Sequence, residues 1–285
     1  MGIDERPIPE PAAGRVVKVA CVGSSSTEGA GASAPEHSYP SALARMLGPG
    51  YQVGNFGEGG MTALKSGDWP YWQSPQFPAS SAFQPDVVVL ALGGNDSKPW
   101  NWAHKADFPG DYAALIEHYA ALPTNPRLFV CVPLPIFRGA YELSERGVQE
   151  QIPILTELAG RYGAGFINLH DALIANAALT VDGAHPSDAG YLAMARVIYQ
   201  ALTRAPAILP PSKPFEGDTV VILAHEDAGE VRYSLDGSEP TAESPLYTLP
   251  LLLDGPASVR ARGFAGGRSA GNASRADYTA ATAAP

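Results

Sequence analysis

Residues 86–92 read Asp-Val-Val-Val-Leu-Ala-Leu, an unbroken apolar run bounded by Pro85 and Gly93. The run is too short for a self-sufficient helix and lacks polar alternation, so it reads as a strand covered on both faces. Four other segments share its β-rich character: residues 16–22 (VVKVACV), 51–56, 128–132 and 165–169. Helical spacing fills the gaps. Residues 40–47 follow Ser38 as a cap; residues 112–122 set Leu115, Ile116 and Tyr119 on one face. Residues 149–162 repeat Ile152, Leu155 and Leu158, with Pro153 obscuring the start, and residues 187–202 run from Ser187 through Leu192, Ala195, Val197, Ile198 and Leu202. Buried strands alternating with amphipathic helices form parallel sheets. The expectation is an α/β, flavodoxin-like, three-layer αβα domain with a five-stranded parallel sheet. In that order the first and fourth strands are not neighbours, so Cys21 and Cys131 should be free, buried thiols too far apart to bridge.

After Arg204 the texture changes. Residues 205–214 (APAILPPSKP) hold four prolines, at 206, 210, 211 and 214, and read as a stiff linker. Beyond it come short strand signals at 219–224, 230–235, 258–264 and 275–279, with a tight-turn pair at Asp236-Gly237. These predict a small all-β sandwich domain. The expected organisation is an extension at 1–14, the α/β domain at 15–204, the linker at 205–214 and the β module at 215–285.

Charge narrows the partners. Nineteen Lys and Arg against 29 Asp and Glu give a formal charge of −10. Such a chain repels phosphate backbones and anionic lipid on average, so neither nucleic acid nor membrane is an expected partner. No apolar run approaches the roughly 18 residues that span a bilayer. The first 14 residues are polar and proline-rich without a signal-peptide pattern, which leaves the compartment open. The six histidines have no metal-ligand spacing, so no metal is expected.

The strand ends carry the chemistry. Ligands gather beyond the C-terminal edge of a parallel sheet. The first strand runs into Gly23-Ser24-Ser25-Ser26-Thr27-Glu28-Gly29, which lacks the Gly-Lys-Ser/Thr ending of a phosphate loop but can expose a serine on a sharp turn. The second runs into Asn55-Phe56-Gly57-Glu58-Gly59-Gly60, and the third into Gly93-Gly94-Asn95-Asp96. The last helix is preceded by Asp182-Gly183-Ala184-His185-Pro186. A serine hydroxyl needs a base, and neutral His185 can supply it. Asp182 can hold the imidazole tautomer. A tetrahedral oxyanion needs preorganised donors, which the backbone N–H groups of Ser25 and Gly60 and the Asn95 amide can provide.

Ser, Gly, Asn and His in this order at strand ends resemble the SGNH hydrolases, also called GDSL esterases, over roughly residues 16–202. The resemblance implies Ser25, Asp182 and His185 as a catalytic triad, with Ser25, Gly60 and Asn95 as the oxyanion hole and no cofactor. Thr27 and Gly29 match the family's spacing with Ser25 as nucleophile. Ser24 stands where the family usually has Asp, a departure that bears on the local hydrogen bonding of the loop. The β module, through VRYSLDGSEPT at 231–241, SPLY at 244–247 and VRARGFA at 259–265, resembles the chitobiase/β-hexosaminidase C-terminal module, a β-sandwich found on carbohydrate-active enzymes.

All four tryptophans fall in two loops at those strand ends: Trp69 and Trp72 after the second strand, Trp100 and Trp102 after the third. Their faces could stack on a sugar ring or simply pack the loops. The stretch NDSKPWNW at 95–102 also resembles carbohydrate O-acetylesterases of the same family, which implies a small-molecule or polysaccharide ester substrate bearing acetyl. A lysophospholipase, thioesterase or arylesterase is the alternative, and an inactive scaffold that binds carbohydrate is a third reading. Bland roles are expected for Gly57 and Gly59 (turn shape), Asp96 (a loop brace), Asp188 (favouring its helix N-terminus) and the His170-Asp171 pair (structural). In the β module, Tyr233 and Tyr247 are the available aromatic platforms.

Overall fold

The computed structural model describes residues 2–210, 212–215, 217–225 and 229–280. The chain divides into two compact units. One runs over Pro9–Ala201 with the segment before Arg6; the other begins at Leu202 and includes Arg6–Ile8.

The first unit is built on five parallel strands: β1 (Val17–Gly23), β2 (Tyr51–Gly57), β3 (Val87–Ala91), β4 (Arg127–Val132) and β5 (Gly165–Asn168). Their order is β2-β1-β3-β4-β5. The crossing from one side of β1 to the other marks the point where such sheets bind ligands. The helices are α1 (Ser25–Glu28), α2 (Tyr39–Leu47), α3 (Gln76–Ala82), α4 (Pro99–Trp102), α5 (Phe108–Ala120), α6 (Glu145–Tyr162), α7 (Leu169–Leu173) and α8 (Asp188–Thr203).

Val87, Val88, Val89 and Leu90 are all fully buried. Burying each stabilises the fold by roughly 1.5–3 kcal/mol relative to exposure, so this short strand anchors the unit. Ala20, Val22, Val88, Leu90, Val130 and Val132 share one core with Leu115, Ile116 and Tyr119 of α5 and Leu155 and Leu158 of α6. The intervening residues face the other way by strand periodicity. There Cys21 lies against the buried phenol of Tyr39 on α2. Burial pushes the Cys21 thiol up to about 12. Cys21 and Cys131 are both free, on β1 and β4 with β3 between them.

Two helices begin earlier than the sequence predicts. α6 starts at Glu145, where the Ser144 hydroxyl accepts from the Gly147 N–H (3.1 Å), and Pro153 lies inside it. α5 starts at Phe108 with Pro109 in its first turn, where the absent N–H costs nothing.

The second unit holds two sheets. One has the order β10-β8-β6, from β6 (Ala207–Leu209), β8 (Thr219–Ala224) and β10 (Leu251–Leu253). The other runs β12-β11-β13-β7, with β9 (Glu230–Ser234) also pairing β11 (Ala257–Ala265); its remaining strands are β7 (Lys213–Phe215), β12 (Arg268–Ser269) and β13 (Ser274–Ala280). Ile208, Val221, Leu223 and Leu253 of the first sheet share a core with Val259, Ala261, Ala276 and Tyr278 of the second, which makes the sandwich.

The stretch expected as a linker differs from that reading: β6 lies within it, with Ile208 buried in the sandwich core, and β7 begins in it. Pro211 lies outside the described residues. Part of the expected N-terminal extension also joins this unit. Ile8 is buried, its N–H donates to Leu202 O (2.8 Å), and its carbonyl accepts from Asn272 Nδ2 (3.2 Å). Tyr233 and Tyr247 pack partly buried against the sandwich core.

Candidate active site

Four loops at the C-terminal edge of the parallel sheet, those after β1, β2, β3 and β4, together with the loop before α8, line a cleft of about 370 Å³. Its walls include Ser25, Gly60, Asn95 and His185. All four come from the segments singled out in the sequence.

Ser25 opens α1 immediately after β1. The turn is held by its own backbone: Thr27 and Glu28 N–H groups donate to Ser24 O (both 2.9 Å), and Gly29 N–H donates to Ser25 O (2.9 Å). The Ser24 side chain makes no capping hydrogen bond. The turn is therefore closed by backbone hydrogen bonds without a side-chain cap at Ser24. Gly57 allows the end of β2 to press on this turn; a Cβ there would lie 2.1 Å from the Glu28 nitrogen. Its role is close backbone approach, beyond the turn-shaping role expected. Asn55 adds a tie, donating from Nδ2 to Glu28 O (3.2 Å).

His185 Nε2 stands 3.1 Å from Ser25 Oγ, and its Nδ1 stands 2.7 Å from Asp182 Oδ2. Asp182 Oδ1 accepts from the N–H groups of Ala184 (2.9 Å) and His185 (2.7 Å). Partial burial alone would raise the Asp182 carboxyl. The backbone N–H and imidazole of His185, the Ala184 N–H and the Tyr141 hydroxyl outweigh it and hold the group well below the usual carboxylate range. Asp182 is thus charged across the neutral range. Through its Nδ1 contact it favours the tautomer that leaves Nε2 as acceptor for the serine proton.

Gly183 fixes this loop against the one after β4. It has φ +96°, and a Cβ there would sit 2.4 Å from Phe137 O. The Phe137 N–H donates back to Gly183 O (2.7 Å). Ala184 shares a small core with Ile136 and Val148. The segment after β4 brings Tyr141, Glu142 and Leu143 to the cleft wall. Its backbone lies in the left-handed region at Arg138, Tyr141 and Glu142 (φ 62°, 54° and 60°). Such residues cost about 1–3 kcal/mol each and persist only where the surroundings impose them. The sequence reasoning missed this segment. It has neither helical nor strand period, and only the rule that site loops follow every strand of such a sheet pointed to it.

Asn95 is buried, and its Nδ2 donates one hydrogen to Met61 O (3.2 Å). An amide carries two such hydrogens, so one remains for the cleft. Asp96 is fully buried and braces the neighbouring loop, accepting from the N–H groups of Ala63 (3.1 Å) and Leu64 (2.7 Å). Burial pushes its carboxyl up to about 6 against the pull of those donors.

The tryptophans divide in two. Trp72 and Trp102 pack against the main core, their indole N–H groups donating to Ala63 O (3.1 Å) and Glu150 Oε2 (2.8 Å). Trp69 and Trp100 stay exposed, at 62% and 45%. Asp68 gathers the exposed pair's surroundings, accepting from Lys98 Nζ (3.0 Å), Trp100 Nε1 (3.1 Å) and Asn101 Nδ2 (2.8 Å). Lys98 itself lines the cleft, and the Trp69 ring lies 3.7 Å from where a Gly60 side chain would begin.

Asp188 does more than favour a helix terminus: its carboxylate accepts from the Ser33 N–H (2.9 Å) and hydroxyl (2.6 Å) and contacts His37 Nδ1 (2.9 Å). Among the described residues, no group of three or more His, Cys, Asp or Glu could hold a metal ion. No described helix is long and apolar enough to cross a membrane.

Known proteins give this arrangement a lineage. Residues 210–275 match the model of the chitobiase/β-hexosaminidase C-terminal domain. An acetylxylan esterase of Xylanibacter ruminicola is 35% identical over 206 residues, covering 65% of this chain and 43% of that protein. The chain thus spans less than half the length of that relative. Among solved structures, the aryl esterase of M. smegmatis superposes with a TM-score of 0.54 at 19% identity, covering 65% of this chain and 97% of that one. A carbohydrate acetylesterase family member from Sinorhizobium meliloti gives 0.53 at 21%, covering 66% and 99%. At that identity the likeness is one of fold. The model of the GDSL-like lipase/acylhydrolase family matches residues 21–193, well over half of the sequence, and the chain belongs to that family.

Proposed function

We propose that the chain is a serine ester hydrolase that removes a small acyl group, acetyl above all, from an acylated carbohydrate. The observation that carries the reading is the continuous line from Ser25 Oγ through His185 to Asp182, with contacts of 3.1 and 2.7 Å in one cleft. Ser25 Oγ attacks the ester carbonyl while its proton passes to His185 Nε2. The oxyanion is received by the N–H groups of Ser25 and Gly60 and the second hydrogen of Asn95 Nδ2. The intermediate collapses, the sugar oxygen leaves with the proton from His185, and the acyl group stays on Ser25. Water, deprotonated by His185, then attacks the acyl carbon and releases the carboxylic acid and free serine.

The acyl size follows from the walls. Ser24, Ser26, Gly94 and Ala184 are small, and Leu143 is the sole large aliphatic residue among the lining residues. A long acyl chain would find little apolar surface there. The carbohydrate assignment draws on Trp69 and Trp100, exposed at the edge of the cleft, and on the relative named for acetylxylan. Trp72 and Trp102 are engaged in packing and support the loops that carry the exposed pair.

The test is acetate release from a panel of aryl esters, acetylated monosaccharides and acetylated xylan, at matched chain lengths of acyl donor. Acetyl esters should be cleaved fastest, with carbohydrate esters preferred. A preference for long acyl chains would instead favour the lipid-hydrolase reading, and binding without turnover would favour the inactive scaffold.

A further inference from the structure

We propose that Tyr141 is a positioning residue for the Asp182–His185 pair, an element that rests on the triad reading above. Its hydroxyl donates to Asp182 Oδ2 (2.8 Å), the same oxygen that meets His185 Nδ1 at 2.7 Å. Its ring meets the His185 ring edge-on, with centroids 4.8 Å apart. One side chain therefore touches both members of the pair.

The backbone is committed to this placement. Arg138, Tyr141 and Glu142 all lie at positive φ. Contacts at both ends of the loop hold them there: Ile136 N–H donates to Glu145 Oε2 (2.7 Å), Phe137 N–H to Gly183 O (2.7 Å), and Ser144 N–H to Ser97 Oγ (3.1 Å). The ring itself is 58% exposed, so core packing does not account for its orientation. Asp182 can accept several hydrogen bonds, and the phenol fills a direction that the two backbone N–H groups and the imidazole leave open.

The hydroxyl has two effects. It fixes the carboxylate plane, and it takes up part of the carboxylate's charge that would otherwise act on the imidazolium. Other charged or titratable groups face the pair as well. Glu142 and Lys98 line the cleft beside His185, Tyr191 of α8 lies within electrostatic reach of Asp182, and Glu28 of α1 lies within reach of Tyr191. None of these is altered by removing the Tyr141 hydroxyl.

The test is the pH profile of aryl acetate hydrolysis by Tyr141→Phe, which keeps the ring and loses only the donor. The expected result is a fall in kcat of about 5- to 30-fold. The acid limb of kcat/KM should also move to higher pH, because the unshared carboxylate attracts the proton-bearing imidazole ring more strongly. Tyr141→Ala should cost more, since the ring contact goes too. Asp182→Asn serves as the reference. An inactive Asp182→Asn beside a Tyr141→Phe indistinguishable from the parent in kcat and profile overturns the positioning role alone. A fully active Asp182→Asn overturns the triad reading, and the positioning role falls with it.

Discussion

Two histidines in the first unit look alike on one side and differ on the other. His185 and His170 each hold an aspartate at Nδ1, at 2.7 Å in both cases. At Nε2, His185 meets the Ser25 hydroxyl, whereas His170 meets the Glu145 carboxylate at 2.6 Å. Burial alone would lower the His170 imidazole. The hydrogen bonds the ring donates to Glu145 and Asp171 outweigh it, and the group is raised above the ordinary histidine value. An imidazole with a carboxylate at each nitrogen holds its proton and cannot serve as a base. One whose second nitrogen faces a hydroxyl can. A His–Asp contact therefore says little about catalysis until the other nitrogen is accounted for.

His170 also has a structural task. Glu145 opens α6 and accepts from the Ile136 N–H, so the His170–Glu145 contact ties α7 to the start of the loop that carries Tyr141. The expectation that His170 and Asp171 are structural agrees with this geometry.

The largest predicted contrast is between the two alanine variants. His185→Ala should lose about 10⁶-fold in kcat with little change in stability. His170→Ala should keep the chemistry within a few-fold while losing about 1–3 kcal/mol of stability, because the hydrogen bonds of the buried imidazole to Glu145 and Asp171 are lost. Aryl acetate kinetics and urea melts of both proteins check this. If His170→Ala abolished turnover in a folded protein, the division of roles would be wrong.

A smaller effect separates the cleft from its rim. Trp69→Ala with Trp100→Ala should leave aryl acetate hydrolysis unchanged and raise KM for acetylated xylan about 10-fold. Equal losses on both substrates would place the tryptophans in the chemistry or the fold and remove their use as a sugar platform.

The smallest effect is in stability against pH. The folded His170 value is raised, so its contribution is complete below the unfolded value of about 6.5 and is lost as pH rises through the folded value. Melting temperature should therefore decline on the alkaline side of neutrality, and His170→Gln should show a shallower decline. Parallel slopes for the two proteins would contradict the linkage.

Much of this was legible in the sequence. The five strands, their helical connections and the separate β region follow from apolar periodicity, which reports burial directly. Ser25, Gly60 and Asn95 follow strand ends and His185 precedes α8, at places where turn residues mark sharp changes of chain direction. What escaped has physical reasons too. Ile8 and Ile208 are single apolar residues in proline-rich surroundings, so no period announces that Ile8 is buried or that Ile208 joins the sandwich core. Tyr141 lies in a loop whose form comes from its anchors at both ends. The tryptophans could be sorted only by what surrounds them: Trp72 and Trp102 have core beneath them, and Trp69 and Trp100 do not.

Three consecutive serines leave one question at the centre, which of them is the nucleophile; the proposed mechanism rests on Ser25, whose Oγ lies 3.1 Å from His185 Nε2. The most direct measurement is to label the protein with a fluorophosphonate, digest it and locate the modified residue by mass spectrometry. The label should sit on Ser25, and its attachment should fail in His185→Ala. A label on Ser24 or Ser26, or none on a protein that still hydrolyses aryl acetate, would contradict the account.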